Sequence, residues 1–217
     1  MNFFDVVRPM FNGKLTQGQV NGMNRILAYA AEIGCSRAHL AYILATIYHE
    51  TARWMEPIRE GARRYGPNYS DASARRAVAA IYAKGIISRN YALPNAAGLS
   101  FYGRGLVQIT HEENYAKFNI ADNPDAALEW DTALEITFRG MAEGMFTGKS
   151  LADVAEVGEQ DYTNDRIVIN GDVRKNGARI AKYANTFYDA LEAYKPKEFD
   201  NERSNTDGAW PPRWWPF

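Results

Sequence analysis

Cysteine is almost missing from this chain: Cys35 is the only one among 217 residues. A single thiol excludes an intrachain disulfide and argues against a cysteine-bound zinc site, which draws on several such ligands. Histidine is nearly as scarce, with 3 copies, His39, His49 and His111. None is followed by another histidine four residues on, so the HExxH zinc pattern is absent and neither a metal nor any other cofactor is expected. Neither sign of charge is in excess. With 25 Lys and Arg against 26 Asp and Glu, a net charge of −1 and a pI near 6.3, there is no electrostatic reason to expect nucleic acid or an anionic membrane as partner. No apolar run approaches the roughly 20 residues of a membrane span; the longest, Ala38 to Tyr48, ends in charge, so no stable membrane insertion is expected. The opening residues, MNFFDVVRPMF, have no basic segment followed by an apolar one, and no secretory signal is expected. The phosphate loop GxxxxGK[ST] and the nucleophile elbow GxSxG are also missing, which leaves phosphoryl transfer and serine hydrolysis without their usual signatures.

What is present suits a globular protein that buries a sizeable core. Hydrophobic residues make up 46% and charged residues 24%, ordinary values for such a chain. Aromatics reach 13%, with 13 tyrosines and 5 tryptophans. Core packing accounts for most aromatics in proteins; a cleft that stacks rings against a flat ligand such as a sugar is the alternative.

The periodicity predicts a mainly helical fold. After a lead-in whose Phe3, Phe4, Val6, Val7 and Phe11 pack on the domain, Thr16 caps a helix with Val20, Met23, Leu27 and Ala30 on one face, and Gly34 closes it. Ser36 caps the next, with a stripe of Leu40, Ile43, Leu44 and Ile47. A helix is expected over 71–84, capped by Asp71, with Val78, Ile81 and Tyr82 inward and Gly85 at its end. Leu106 to Thr110 alternates like a short strand, with Gln108 and Thr110 on one side. Residues 111–119 read as a short helix. Asn123-Pro124 opens two further helices over 124–146, with Asp131 as a second cap. Arg166 to Asn170 reads as β-like, and 177–194 as the last helix. One domain is expected over 1–195, followed by a Trp/Pro-rich tail at 196–217.

The stretch LAYILATIYHETARWMEPIRE, residues 40–60, carries the chemistry. At about 100° per residue, Glu50 falls beside Ile43 on the edge of the apolar stripe, and His49 points away. A carboxyl group placed against apolar surface holds its proton more tightly, as a general acid near neutral pH must. The bland alternative is a helix-end residue paired with Arg53. A second carboxylate, Glu60, follows Pro57. An unbroken helix would separate the two by about 15 Å, so a shared site requires a break near Pro57.

Three motifs in order, His49-Glu50-Thr51, then Tyr102-Gly-Arg-Gly-Leu-Val-Gln-Ile-Thr110 with Asn114-Tyr115, then Arg166-Ile-Val-Ile-Asn170-Gly171, resemble glycoside hydrolase family 19, the chitinases and related endolysins of the lysozyme superfamily. The resemblance spans roughly residues 16–194, and the lead-in and the absent signal are more similar to the phage endolysin branch. It implies a mainly α, lysozyme-like bilobed helical domain with a small β element and a cleft between the lobes. It implies metal-free, inverting hydrolysis of β-1,4 bonds next to N-acetylated sugars, with Glu50 as general acid, Glu60 as base and Thr110 holding the attacking water. Tyr102, Gln108, Asn114 and Asn170 would line the sugar site, and Arg166 or Arg179 would steady the base. Chitinases carry a proline after YGRG where this chain has Leu106, a departure that bears on chitin as the substrate.

The expectation is therefore a monomeric endolysin whose partner is the glycan strand of peptidoglycan. It would be made in the host cytoplasm and would act on the wall once the membrane is permeabilised. The rival readings are a chitinase and a non-catalytic wall-binding or virion structural protein.

Overall fold

The Thr16 cap sets the first long helix. In the computed structural model, which describes residues 2–61, 66, 69–153 and 162–193, Thr16 Oγ1 accepts from the Gln19 amide at 3.2 Å and Gln19 Oε1 accepts from the Thr16 amide at 2.9 Å. This reciprocal pair satisfies two of the amides that a helix start leaves orphaned. The helix it opens is α2, Gln17–Glu32, preceded by the short α1, Phe3–Val7. Gly34 takes φ +67°; there Gly34 and Cys35 donate to the carbonyls of Ala31 and Ala30 and close the helix end. Ser36 Oγ accepts from the His39 amide at 3.3 Å and starts α3, Arg37–Glu50.

The remaining elements among the described residues are β1 (Ile58–Arg59), α4 (Asp71–Ala83), β2 (Arg104–Gly105), α5 (Glu112–Ala116), α6 (Trp130–Ala142) and α7 (Ala178–Ala193), with short 3-10 turns and a π turn, Val173–Gly177, between. The architecture is mainly helical with, among the described residues, one small sheet, in which β1 and β2 pair antiparallel, Ile58 opposite Gly105 and Arg59 opposite Arg104. The chain separates into two compact units, Met1–His49 with Phe138–Phe217, and Glu50–Thr137.

In the first unit α1 packs on α7, and the rings of Phe3 and Phe187 stack at 6.4 Å. Tyr48 meets Tyr183 edge-on at 4.7 Å, and its hydroxyl donates to the Met10 carbonyl at 2.5 Å. The helix α3 departs from the stripe expected of it: every residue from Leu40 to Tyr48 is buried. Tyr42 and Thr46, which lie outside that stripe, are 0% exposed. A helix covered on all sides does not need an apolar stripe. On α7, Ile180, Phe187 and Leu191 face inward as their spacing predicts, and of the two alternatives at the next inward position, Tyr183 and Ala184, it is Ala184 that is buried.

In the second unit α4 is capped by Ser70, whose Oγ accepts from the Ser73 amide at 3.3 Å, not by Asp71, which lies one residue inside. Ala74 and Val78 join Ala92 and Tyr102 in a small core against which Tyr69, Ile87 and Tyr91 pack. Tyr82, expected inward, is 47% exposed. The strand expected over 106–110 is instead a buried tight turn that returns Ile109 to a single bridge with Arg104; the strand residues lie two places earlier. Leu106, Val107 and Ile109 are all buried, so their apparent alternation reflects a loop packed on several sides. Asn123-Pro124 opens a 3-10 turn, Pro124–Leu128, and Asp131 lies within the first turn of α6 and does not cap it. In the first unit, residues 166–168 belong to a 3-10 turn, Asn164–Val168, and not to a strand. The Trp/Pro-rich tail at 196–217 lies outside the described residues.

Candidate active site

The helix α3 stops at Glu50 through backbone geometry seven residues before Pro57. Ala52, Arg53 and Met55 take φ +49°, +77° and +57°, left-handed values that non-glycine residues adopt at a cost and that cluster at functional sites. Thr51, 0% exposed, anchors the turn: its carbonyl accepts from Trp54 at 3.0 Å and its Oγ1 from the Met55 amide at 3.1 Å. Glu50 and His49 are both half-buried, so the outward turn assigned to His49 is not observed. His49 instead lies close enough to Asp172, in its own unit, to help hold that carboxyl in its charged form.

Glu60 follows directly on β1 and is held on three sides. Its amide donates to the Gly103 carbonyl at 2.7 Å, the Gly103 amide donates back to Oε2 at 3.0 Å, and the Tyr91 hydroxyl donates to Oε1 at 2.6 Å. Burial and the neighbouring Glu60 charge push the Tyr91 phenol up, so it remains a protonated donor at neutral pH. Gln108 reaches the same place from the 106–110 turn. A Cβ on Gly103 would stand 2.9 Å from Gln108 Oε1 and 3.3 Å from Glu60 Oε2. Glycine at 103 is thus a close-approach residue that lets two side chains converge on one stretch of backbone. Gln108, at φ +55°, donates from Nε2 to the carbonyls of Ile58 and Gly105, which fastens the turn to both strands. Thr110 Oγ1 donates to the Gln108 carbonyl at 2.9 Å, and Asn114 Nδ2 donates to the Thr110 carbonyl at 2.8 Å. Glu60, Gln108, Thr110 and Asn114 therefore form one connected patch on the second unit.

Two motif residues serve the scaffold. Tyr102, expected to line a sugar site, is 0% exposed, and its hydroxyl donates to Asp71 at 2.8 Å. Arg104 is 3% exposed and lies 3.7 Å over the Tyr102 ring. Its guanidinium reaches Asp125 at 2.7 Å, the Ser100 carbonyl at 2.8 Å and the Tyr115 hydroxyl at 3.2 Å. Burial pushes the Asp125 carboxyl up, but Arg104 and Arg59 outweigh it and hold the group below the usual carboxylate range. In the first unit, buried Arg166 donates to Asp172 at 2.5 Å, while Asn170 and Arg179 are exposed.

Sequence reasoning missed Tyr91, Asp71 and Asp125, which lie far along the chain from the groups they bind. It also passed over Glu56, whose half-buried carboxyl is pushed up by burial; its place between Glu50 and Glu60 was the available signal. Among the described residues, no group of three or more His, Cys, Asp or Glu side chains is placed to hold a metal, and no helix is long and apolar enough to cross a membrane. Comparison with protein-family models, curated proteins and solved structures finds no match.

Proposed function

We propose that this chain is a glycosidase of the family 19 kind that hydrolyses the β-1,4 bonds of peptidoglycan, with Glu50 as general acid and Glu60 as general base. The observation that carries the reading is the grip on Glu60: a carboxylate fixed by the Gly103 amide and the Tyr91 hydroxyl, beside Gln108. A general base must be aimed before the substrate arrives, and a surface ion-pair partner has no need of two such donors. In the reaction Glu50 gives its proton to the leaving glycosidic oxygen as the bond to the anomeric carbon breaks. Glu60 takes a proton from a water that attacks that carbon from the opposite face, and the configuration inverts. Thr110, which spends its own proton on the Gln108 carbonyl, has lone pairs left to accept from that water. Arg104, Asp71, Asp125 and Tyr102 hold the backbone that presents Gly103 and Gln108.

In the endolysin setting the enzyme is made in the host cytoplasm and reaches the wall when a separate protein opens the membrane. The test is Glu50→Gln assayed on purified sacculi. New reducing ends should fall by about 10²–10⁴-fold with the far-ultraviolet circular dichroism unchanged, and full activity would remove Glu50 from its role. Mass spectrometry of the wild-type digest separates cleavage after muramic acid from cleavage after glucosamine. Products from chitin alone would favour a chitinase, and binding to sacculi without new ends would favour a non-catalytic wall protein.

A further inference from the structure

The second unit also carries a groove of about 680 Å³ within residues 82–113, in the size range of small-molecule sites, roughly 300–1,000 Å³. Its lining includes the rings of Tyr82, Tyr91 and His111. Tyr82 stands 47% exposed at the end of α4, with Leu93 67% exposed nearby. Tyr91 and His111 meet edge-to-face at 5.4 Å and 75°. His111 holds φ +73° and ψ 138°, a region nearly reserved for glycine, where strain of this kind marks functional walls. Its amide is pinned to the Phe101 carbonyl at 2.9 Å. The lining also includes the short polar residues Ser88, Asn90 and Asn95.

The chemistry of the lining selects an occupant. The lining holds one cation, Arg89, and two carboxylates, Glu112 and Glu113, so an anionic polymer gains nothing by entering. Asn90 and Asn95 already accept from the amides of Ala92, Ala97 and Leu99, but a lipid chain would meet none of the hydrogen-bonding capacity that remains on Ser88, Asn90 and Asn95. Aromatic faces interleaved with amides suit a neutral ligand that has both apolar ring faces and a rim of hydroxyl and amide groups. We infer that this groove is a saccharide subsite that takes an uncharged, N-acetylated sugar segment. The inference rests on the glycosidase reading and extends it, because Tyr91 belongs to both places: its ring lines the groove and its hydroxyl holds Glu60. A chain seated in the groove touches the side chain that aims the base.

The test is titration of N-acetylglucosamine tetramer into ¹⁵N-labelled Glu50→Gln protein, followed by amide shifts. Shifts clustered at Tyr82, Asn90, Asn95 and His111 are expected. Tyr82→Ala, at an exposed position that spares the fold, should weaken binding about three- to tenfold. No shifts, shifts confined elsewhere, or unaltered affinity in Tyr82→Ala would overturn the subsite. The two readings fail separately: groove shifts in a protein that releases no reducing ends from sacculi would keep the subsite and remove the glycosidase, and an active wild type without groove shifts would do the reverse.

Discussion

Tyr91 and Glu60 are joined by a hydrogen bond of 2.6 Å across 31 residues of chain. The phenol packs on the small core beneath α4, so the carboxylate is aimed by a group that is itself fixed. Removing only the hydroxyl, as in Tyr91→Phe, keeps the ring and loses the aim. The turnover number on sacculi is expected to fall by about tenfold or more, the effect of a hydrogen bond to a charged group, with KM little changed. Steady-state kinetics would check the split; an equal rise in KM with no loss of turnover would contradict the positioning role.

Three carboxylates lie within residues 50–60, and they separate by substitution. Glu60→Gln should reduce activity at least about 10²-fold. Glu56→Gln should leave activity within about twofold, because none of the hydrogen bonds that build the patch involves it. The reverse order, measured as reducing ends released from sacculi, would transfer the base to Glu56.

Gly105 takes φ +81°, and a Cβ there would stand 2.7 Å from the Ala127 carbonyl oxygen. Gly105→Ala must therefore strain the backbone and displace another backbone segment. A loss of about 2–4 kcal/mol is expected, readable as a lower midpoint in urea unfolding. A midpoint within error of wild type would mean that the turn before α6 yields easily.

Acid should unfold the protein partly through Asp125. Its folded pKa lies below the ordinary value, held there against burial by Arg104 and Arg59. Such a group contributes stability above its unfolded pKa, about 4, and that contribution is lost as pH falls through the folded value. Asp172, held down against burial by Arg166 and Asn176, has the same sign. The melting temperature should drop as pH goes from 5 to 2, by less in Asp125→Asn than in wild type. Equal drops would assign the acid sensitivity elsewhere.

Local signals in the sequence were read correctly where the chemistry itself is local. The Thr16 cap, the Ser36 cap and the glycines after α2 and α4 act over three to five residues, and each forms as its spacing predicts. The reading failed where a distant segment decides the outcome. Tyr82 has the right period for burial, but only Ala74 and Val78 on that helix are covered. Leu106 to Thr110 alternates, but the Arg104–Ile109 bridge turns it into a loop. Pro57 was the visible helix stop, while the actual one is a run of left-handed residues with ordinary side chains at 52, 53 and 55, which no propensity announces. The patch around Glu60 was half legible: Gln108, Thr110 and Asn114 belong to one motif, whereas Tyr91 comes from an irregular segment that carries no pattern.

Arg104 is the feature with the widest consequence. Its charge is neutralised by acids 33 and 21 residues away, Asp71 and Asp125, and its plane rests on Tyr102. The Tyr-Gly-Arg-Gly sequence is therefore not portable. Grafted into another scaffold without those two aspartates, it would bring a buried cation with no counter-ion, and the loop would open to hydrate it. Homing in on distant relatives by the four-residue string alone would admit many false positives; requiring the two remote acids as well would filter for chains able to close this loop.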